Sequence, residues 1–448
     1  MTTRDFATTT KKTDTLHLYA NGTTGDDTDD GLTLATAVAT LERLFELIPD
    51  VIRHPIICHL EGSFDLAGKD IYLNKHFGSH SEPTYGQFFL TFDGGDDKTV
   101  TEGPNAATSG STTSLTDTGI GWTPDDHMGF FVEIQSGAAA GDIRMIRKNT
   151  SDTLYPTNAF SGAVAATDQY RIFRYTTTIT AGASAGYLSL LATGPEFSYY
   201  QMHLQRLHFA GANLFTILQN NVLSICGCTF HGAKFGASNN RALWIGYGGG
   251  INPADGSPDF TFHGGLGVRA DFTVPRFTQM SIARLAVYGN VLLQNGFIVN
   301  TLLYDGSRVV GSVRVEQIQG YGLAYGGALI QPEIVNAAGV GLTIEDCNGV
   351  TIHDIDINNC GSHAIEVINS RLEFFGTAQV AVGTGNVGAG LYAHRGSKIT
   401  IPNGNPPTIT GTIGDISTDG TTEATAWSDI DGGQPFIDLS ETTMIEEV

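Results

Sequence analysis

The chain has 448 residues, of which 56 are glycine and only 16% are charged. Long solvated helices need Lys, Glu and Arg on their outer faces, so this charge content excludes an all-helical protein, and 41% hydrophobic residues exclude wholesale disorder. With 24 Lys and Arg against 46 Asp and Glu, the net charge of −22 repels phosphate backbones and anionic bilayers, and no nucleic acid partner and no membrane insertion are expected.

In chain order, residues 1–14 are Thr-rich without apolar periodicity and read as a flexible N-terminal arm. They contain no apolar signal-peptide segment, and nothing downstream approaches the run of about 20 apolar residues of a membrane span, so a soluble protein without a secretory signal, synthesised in the cytoplasm, is expected. Residues 15–97 read as a cap and first coils. Leu16 and Leu18 lie on a strand, an Asp/Gly loop follows, and a helix is predicted from Ala35 to Leu47, stopped by Pro49. Val38, Leu41, Leu44, Phe45 and Leu47 form its apolar stripe.

Residues 98–175 carry three alternating segments, FFVEI, IRMIRK and YRIFRY, joined by turn signals, which predict a small antiparallel β-module inserted between early coils. Residues 176–418 repeat. Aligning VGLTIEDCNGVTI, HAIEVINSRLEF and AGLYAHRGSKITI sets Leu342 over Ile365 over Leu391, and Val350 and Ile352 over Leu372 and Phe374. A repeat this short has no room for a helix and fits one coil of an all-β parallel solenoid. Upstream, Leu204 and Phe209 fall one coil before Ile225 and Phe230, and a Gly/Pro-rich excursion at about 236–275 breaks the period. Residues 419–448 lose the repeat and form an acidic tail with Trp427, Phe436, Ile437, Leu439, Met444 and Ile445. The five cysteines, Cys58, Cys226, Cys228, Cys347 and Cys360, are odd in number, sit mostly in or beside apolar runs and read as buried free thiols.

These residues resemble the pectate-lyase-like, right-handed parallel β-helix proteins of the bacteriophage tailspike and tail-appendage type. The resemblance rests on LYANGTTGDDTDDGLTLATAVATLERL at the start, the inserted TSGSTTSLTDTGIGWTPDDHMGFFVEIQSGAAAGDIRMI, and the closing TITGTIGDISTDGTTEATAWSDIDGG. It implies a structural, receptor-binding part of a virion tail that touches other tail proteins and a host cell-surface polysaccharide. The alternative is a polysaccharide lyase or glycoside hydrolase, since such folds host enzymes and inert fibres alike. A solenoid needs both ends protected, and an apolar tail gains most by burial; together with the resemblance this predicts a homotrimer with the C-terminal residues at subunit interfaces.

Glycan hydrolysis needs two carboxylates facing one groove, and on stacked coils they would lie on adjacent or next-adjacent strands. The aligned outward columns, Thr343, Glu366, Tyr392 and Thr351, Glu373, Thr400, stack no two acids. Asp354, Asp356 and Glu366 make the nearest approach, with the first two at an expected corner. Tyr199, Tyr200, Trp244, Tyr247, Tyr321 and Tyr325, in or near Gly-rich stretches, are the candidates for stacking on sugar rings. No cofactor and no metal site is predicted. The Asp26–Asp30 cluster lacks EF-hand spacing and reads as a solvated loop, Gly383 to Gly388 is a turn rather than a dinucleotide motif, and His76 and His80 read as loop residues.

Overall fold

The computed structural model describes residues 15–52, 54–77, 90–193, 202–220, 222–237, 240–245, 250–251, 258–259, 266–274, 277–282, 284–296, 301–303, 307–319, 328–330, 332–353, 355–374, 381–382, 385–395, 397–401, 408–409, 416–418, 423–424 and 444–447. Among the described residues the chain is all-β apart from two short helical segments, and it is dominated by parallel sheets.

Each coil contributes one strand to each of three faces. From 342 onward the chain runs Leu342–Glu345, Asn348–His353, Asp356–Asn358, then repeats as Ile365–Ile368, Arg371–Phe374, Ala381–Val382. The third strand of each set closes an eleven-stranded sheet, and the first belongs to a twelve-stranded sheet. The remaining face is made of two seven-stranded sheets that meet where Phe277–Ile282 neighbours Thr301–Leu303. Pairing is parallel and in register from coil to coil: Leu342 with Ile365, Ile365 with Leu391, Val350 with Leu372, Leu204 with Ile225 and Phe209 with Phe230.

Side chains alternate across every strand, so the inward member of each pair falls on the same column and the core is one continuous cluster from Leu18 to Ile399. Leu342, Ile352, Ile365, Leu372 and Leu391 are all fully buried in it. All five cysteines are buried free thiols. Corners are turned by single residues in the left-handed region, including Gln317, Asp346, Asn369 and Arg395. Asn and Asp tolerate this region better than most residues.

Beneath one corner runs an internal hydrogen-bond ladder. The Cys347 N–H donates to Ser370 Oγ at 2.9 Å and the Ser370 N–H to Ser397 Oγ at 3.3 Å, while Ser370 Oγ donates to the Ile368 carbonyl at 2.7 Å. Burial pushes the Cys347 thiol up to about 12, so it keeps its proton, and it donates to the Glu345 carbonyl at 3.2 Å. The turn's buried N–H groups are thereby satisfied without water.

The predicted helix from Ala35 is shorter than its stripe implies. Leu34–Thr36 is a 3-10 turn, Val38 bridges Ala20 in β fashion, and the α-helix is Leu41–Leu47, capped by the Thr40 side chain accepting from the Arg43 N–H. Ile48 turns extended ahead of Pro49, as the residue before proline must. Leu41, Leu44 and Phe45 enter the first layer of the core, where Phe45 meets Phe92 edge-on at 5.8 Å. The acids of the preceding loop bind its own backbone: Asp27 Oδ1 accepts from the Ala39 and Thr40 N–H groups at 2.8 and 2.9 Å.

Between Asp93 and Thr178 the chain leaves the stack to build a seven-stranded antiparallel sheet, Lys98–Ala106 to Gln169–Tyr175. One face carries Val132, Ile134, Ile146, Tyr170 and Ile172 into a separate core closed by Trp122 and Phe160. The other carries Phe131, Met145, Phe173 and Tyr175 onto Ala286 and Val310 of the stack. Thus the module covers the outside of the eleven-stranded sheet, over the in-register column Thr229, Gly267, Ala286, Arg308, Glu333, Asp356. Gly267 is required there, because a Cβ would lie 2.5 Å from the Gly129 Cα.

Arg308, nearly fully buried, anchors the seam by reaching Asp125 Oδ1 of the module at 2.6 Å and Glu333 Oε1 of the stack at 3.2 Å. Lys148 of the module lies 3.5 Å from the same Glu333 oxygen. At the other end, Met444–Glu447 pairs with Lys398–Ile401 of its own chain. Met444 and Ile445 of the tail thus add a strand to the stack of their own chain. Trp427, Phe436, Ile437 and Leu439, like the arm at 1–14, lie outside the described residues.

Candidate functional site

Register places side chains outside the stack as strictly as inside it. On the outer face of the twelve-stranded sheet, one column runs Arg314, Thr343, Glu366, Tyr392 and the next Gln294, Glu316, Glu345, Ile368, His394. Glu316 and Glu345 are direct partners on adjacent coils, about 4.8 Å apart at the backbone. Arg314 is ion-paired to both, and Gln294 Nε2 donates to Glu316 at 2.8 Å.

Below them, His394 Nε2 lies 3.1 Å from Glu366 Oε1. The Tyr392 ring is sandwiched between His394 at 4.9 Å and His363 at 4.6 Å. His363 Nδ1 accepts from the Ala389 N–H at 2.9 Å, and burial holds its pKa below the ordinary histidine value. The group therefore offers an oriented imidazole, a carboxylate and an aromatic ring on one half-buried surface.

Around the corner, where the twelve-stranded sheet passes into the C-terminal seven-stranded sheet, lies a cleft of about 460 Å³. One wall is the column Gln319, Asn348, Arg371, Lys398, and the other is the turn column Asp346, Asn369; Cys347 and Ser370 of the internal ladder form the floor. Asn369 Nδ2 donates to Asp346 Oδ1 at 2.8 Å, bracing that wall from coil to coil. Gln319 forms an isolated bridge to Asn348, and every other wall residue sits at a strand start or a left-handed turn, so the stacking of coils fixes the spacing of the polar groups.

The carboxylates expected to approach one another are placed apart. Asp356 starts a strand of the eleven-stranded sheet rather than a turn, beside Glu333 and under the module, where burial raises its pKa. Glu366 lies on the twelve-stranded sheet, and Asp354 is outside the described residues. Trp244 falls in the strand Asn240–Ile245, which pairs within the stack; Tyr199, Tyr200, Tyr247, Tyr321 and Tyr325 lie outside the described residues. His76 is exposed on the strand Asp70–Phe77 rather than in a loop, and His80 is outside the described residues.

Glu316, Glu345, Arg314, His394 and Arg371 were not singled out by the repeat. The signal for the acid pair is nonetheless in the letters: VRVE at 313–316 and LTIE at 342–345 align one coil apart. Among the described residues no group of three metal-ligating side chains converges, and no helix is long and apolar enough to cross a membrane.

No protein-family model and no curated protein matches the chain. Among solved structures, it is similar to the tailspike protein gp49 from Pseudomonas phage LKA1, at 13% identity over 88% of this chain and 71% of that one, with a TM-score of 0.20. It is also similar to the Gp54 tailspike of Acinetobacter baumannii bacteriophage AP22, solved with a capsular saccharide, at 9% identity over 81% and 71% of the two chains, TM-score 0.19. A third similar structure is a glycoside hydrolase, at 9% identity over 96% of each chain, TM-score 0.19. Likenesses at this level leave function to be argued from the site itself.

Proposed function

We propose that the chain is a structural, receptor-binding component of a phage tail or tail-like particle, a right-handed parallel β-helix that assembles as a homotrimer and contacts a glycan on the host surface. The observation that carries this reading is the corner cleft. Its walls are planar amides, a carboxylate and cationic side chains at fixed coil spacing, which is the chemistry that meets sugar hydroxyls by multiple hydrogen bonds. The stack of in-register coils supplies the rigid, elongated body that an appendage needs, and the resemblance of the opening, inserted and closing segments to tailspike proteins supports the same assignment. The arm at 1–14 joins the particle, and the C-terminal tail, residues 419–448, lies at the interfaces between sister chains.

A second reading, a polysaccharide-degrading enzyme, is favoured by the His394–Glu366 pair, in which a carboxylate orients an imidazole at 3.1 Å beside an aromatic ring. One experiment separates the two: incubate the purified chain with host capsule or lipopolysaccharide, and measure both retention of the polysaccharide and release of reducing ends or unsaturated uronate. Retention without release is expected. Release that disappears in His394→Ala establishes the enzyme, and absence of both retention and release overturns the glycan reading. Light scattering on the full chain should give a trimer, and on a chain ending at Gly420 a smaller species.

A further inference from the structure

The cleft has a charge asymmetry that runs against the rest of the molecule. Acids outnumber bases by 46 to 24, and Arg43, Arg144, Arg171, Arg206, Arg308 and Arg314 are each ion-paired to a carboxylate. Arg371 is different. It is exposed on the cleft wall, and its guanidinium makes no ion pair or hydrogen bond among the described residues. Lys398 follows it in register on the next coil, and Arg395 stands at the adjoining corner. The opposite wall presents Asp346, already accepting from Asn369, and Glu373 lies two residues further along the strand from Arg371.

An exposed arginine in a strongly acidic chain gains a carboxylate partner easily, and this one is held without one, next to a second cation, at the mouth of a built cleft. Its planar fork suits an anionic group, carboxylate or phosphate, while Asp346, Asn348 and Asn369 suit hydroxyls. Successive coils place Arg371 and Lys398 about 4.8 Å apart at the backbone, a separation comparable to the length of a sugar ring. A chain lying along the stack axis meets a cation on each of these two coils and the amides of Asn348 and Gln319 on the two before them.

We infer that the cleft selects anionic over neutral saccharides, with the acidic groups on Arg371 and Lys398 and the hydroxyls on the Asp346–Asn369 wall. This rests on the glycan reading above and adds the charge class of the ligand.

The test is a titration of the full chain with three probes: hyaluronate oligosaccharide, the same oligosaccharide after carboxyl reduction, and a glycerol-phosphate teichoic acid. The inference expects at least one anionic probe to bind, with affinity falling as salt rises. Carboxyl reduction should weaken the hyaluronate arm about ten-fold or more, the equivalent of one charge-assisted contact. Arg371→Ala should produce the same loss for whichever anion binds, with an unchanged melting temperature because the side chain is exposed. The two anionic arms distinguish carboxylate from phosphate. Equal binding of the reduced probe, or an Arg371→Ala chain that binds as well as the parent, overturns the charge class and leaves the glycan reading standing. If neither anion binds while host polysaccharide is still retained, the charge class again fails alone; if host polysaccharide is not retained either, both fail.

Discussion

The stack and the inserted module are both built from β-strands that alternate inward and outward side chains, yet they reach stability by opposite routes. In the stack each coil buries its apolar residues against the coil before and after it, so one column such as Leu342, Ile365, Leu391 is repeated by the next. The module buries one face of an antiparallel sheet under its own loops and hands the other face, Phe131, Met145, Phe173 and Tyr175, to the stack. A parallel stack is therefore a chain of equivalent interfaces, whereas the module depends on a single seam that has to be specified by charge as well as shape. That difference predicts where each region breaks.

The largest effect belongs to the stack. Ile365 is fully buried with partners on both sides, and Ile365→Asp both opens a cavity and strands a carboxylate, at a cost of about 4 kcal/mol or more. Thermal melting should show the drop, with hydrogen exchange accelerated in 342–394 while the module's strands keep their protection. Loss of protection spread evenly through both regions would contradict the independence of their cores.

Next in size is the seam. Arg308→Ala leaves Asp125 without its partner in a nearly dry interface and Glu333 with Lys148 alone, at 3.5 Å, which should cost about 3 to 5 kcal/mol. Arg308→Ala combined with Asp125→Asn and Glu333→Gln removes the stranded acid and the weakened pair, leaves the part-exposed Lys148 to solvent, and should recover most of that loss. Limited proteolysis is expected to release the module from the single variant first; a triple variant no better than the single one would mean that packing, not charge, holds the seam.

Acid should attack the seam before the stack. His208, on the outer face of the eleven-stranded sheet, is fully enclosed, with Thr229 Oγ1 at 2.6 Å, the His231 ring at 6.2 Å and Arg174 close by. Burial, then Arg174 and His231, lower its pKa from 6.5 to about 3. A depressed base contributes its full stability above pH 6.5, where neither state is protonated, and loses it as pH falls from 6.5 towards 3 and the unfolded chain takes up a proton. At pH 5 the loss is about 2 kcal/mol by linkage. His208→Gln, which keeps a polar partner for Thr229 but cannot titrate there, should flatten the stability profile between pH 7 and 5. An unchanged slope would assign the acid sensitivity elsewhere.

The same contrast explains what could be read from the letters. Inward columns are apolar and recur at coil spacing, so Leu342, Ile365 and Leu391, and Leu204 and Ile225, declare their register by alternation alone. The module's strands at 131–134, 143–149 and 169–175 are legible for the same reason. Outward columns carry no such signal. Arg308 meets Asp125 across 183 residues of sequence, and only the small pair Gly267 and Ala286 at outward positions hints that something lies on that face. The helix was overextended because Val38 fits an apolar stripe and a β-bridge equally well; the Asp27 carboxylate, accepting from the Ala39 and Thr40 N–H groups, decides for the bridge. At the site, Glu366 is legible as an acid on an outward column, whereas its partner His394 stands one coil on and two residues along, a pairing that no repeat of like residues marks.

The smallest effect concerns the floor of the cleft, where stack and site share residues. Ser370 Oγ is the acceptor for the buried Cys347 N–H and donates in turn to the Ile368 carbonyl. Ser370→Ala removes that acceptor without opening a large void, leaving one N–H unsatisfied at about 1 to 2 kcal/mol. Ser370→Cys should cost less, because the preceding rung of the same ladder is already a cysteine, and Cys347 Sγ accepts from the Ile318 N–H at 3.5 Å while donating to the Glu345 carbonyl. Urea midpoints for the three chains are expected to rank serine, cysteine, alanine, with unchanged slopes because the surface exposed on unfolding is the same. Exchange at the Cys347 amide should quicken only in the alanine variant. If alanine and cysteine are equally destabilised, the ladder acts through side-chain volume rather than hydrogen bonding, and the cleft floor is held by packing like any other part of the stack.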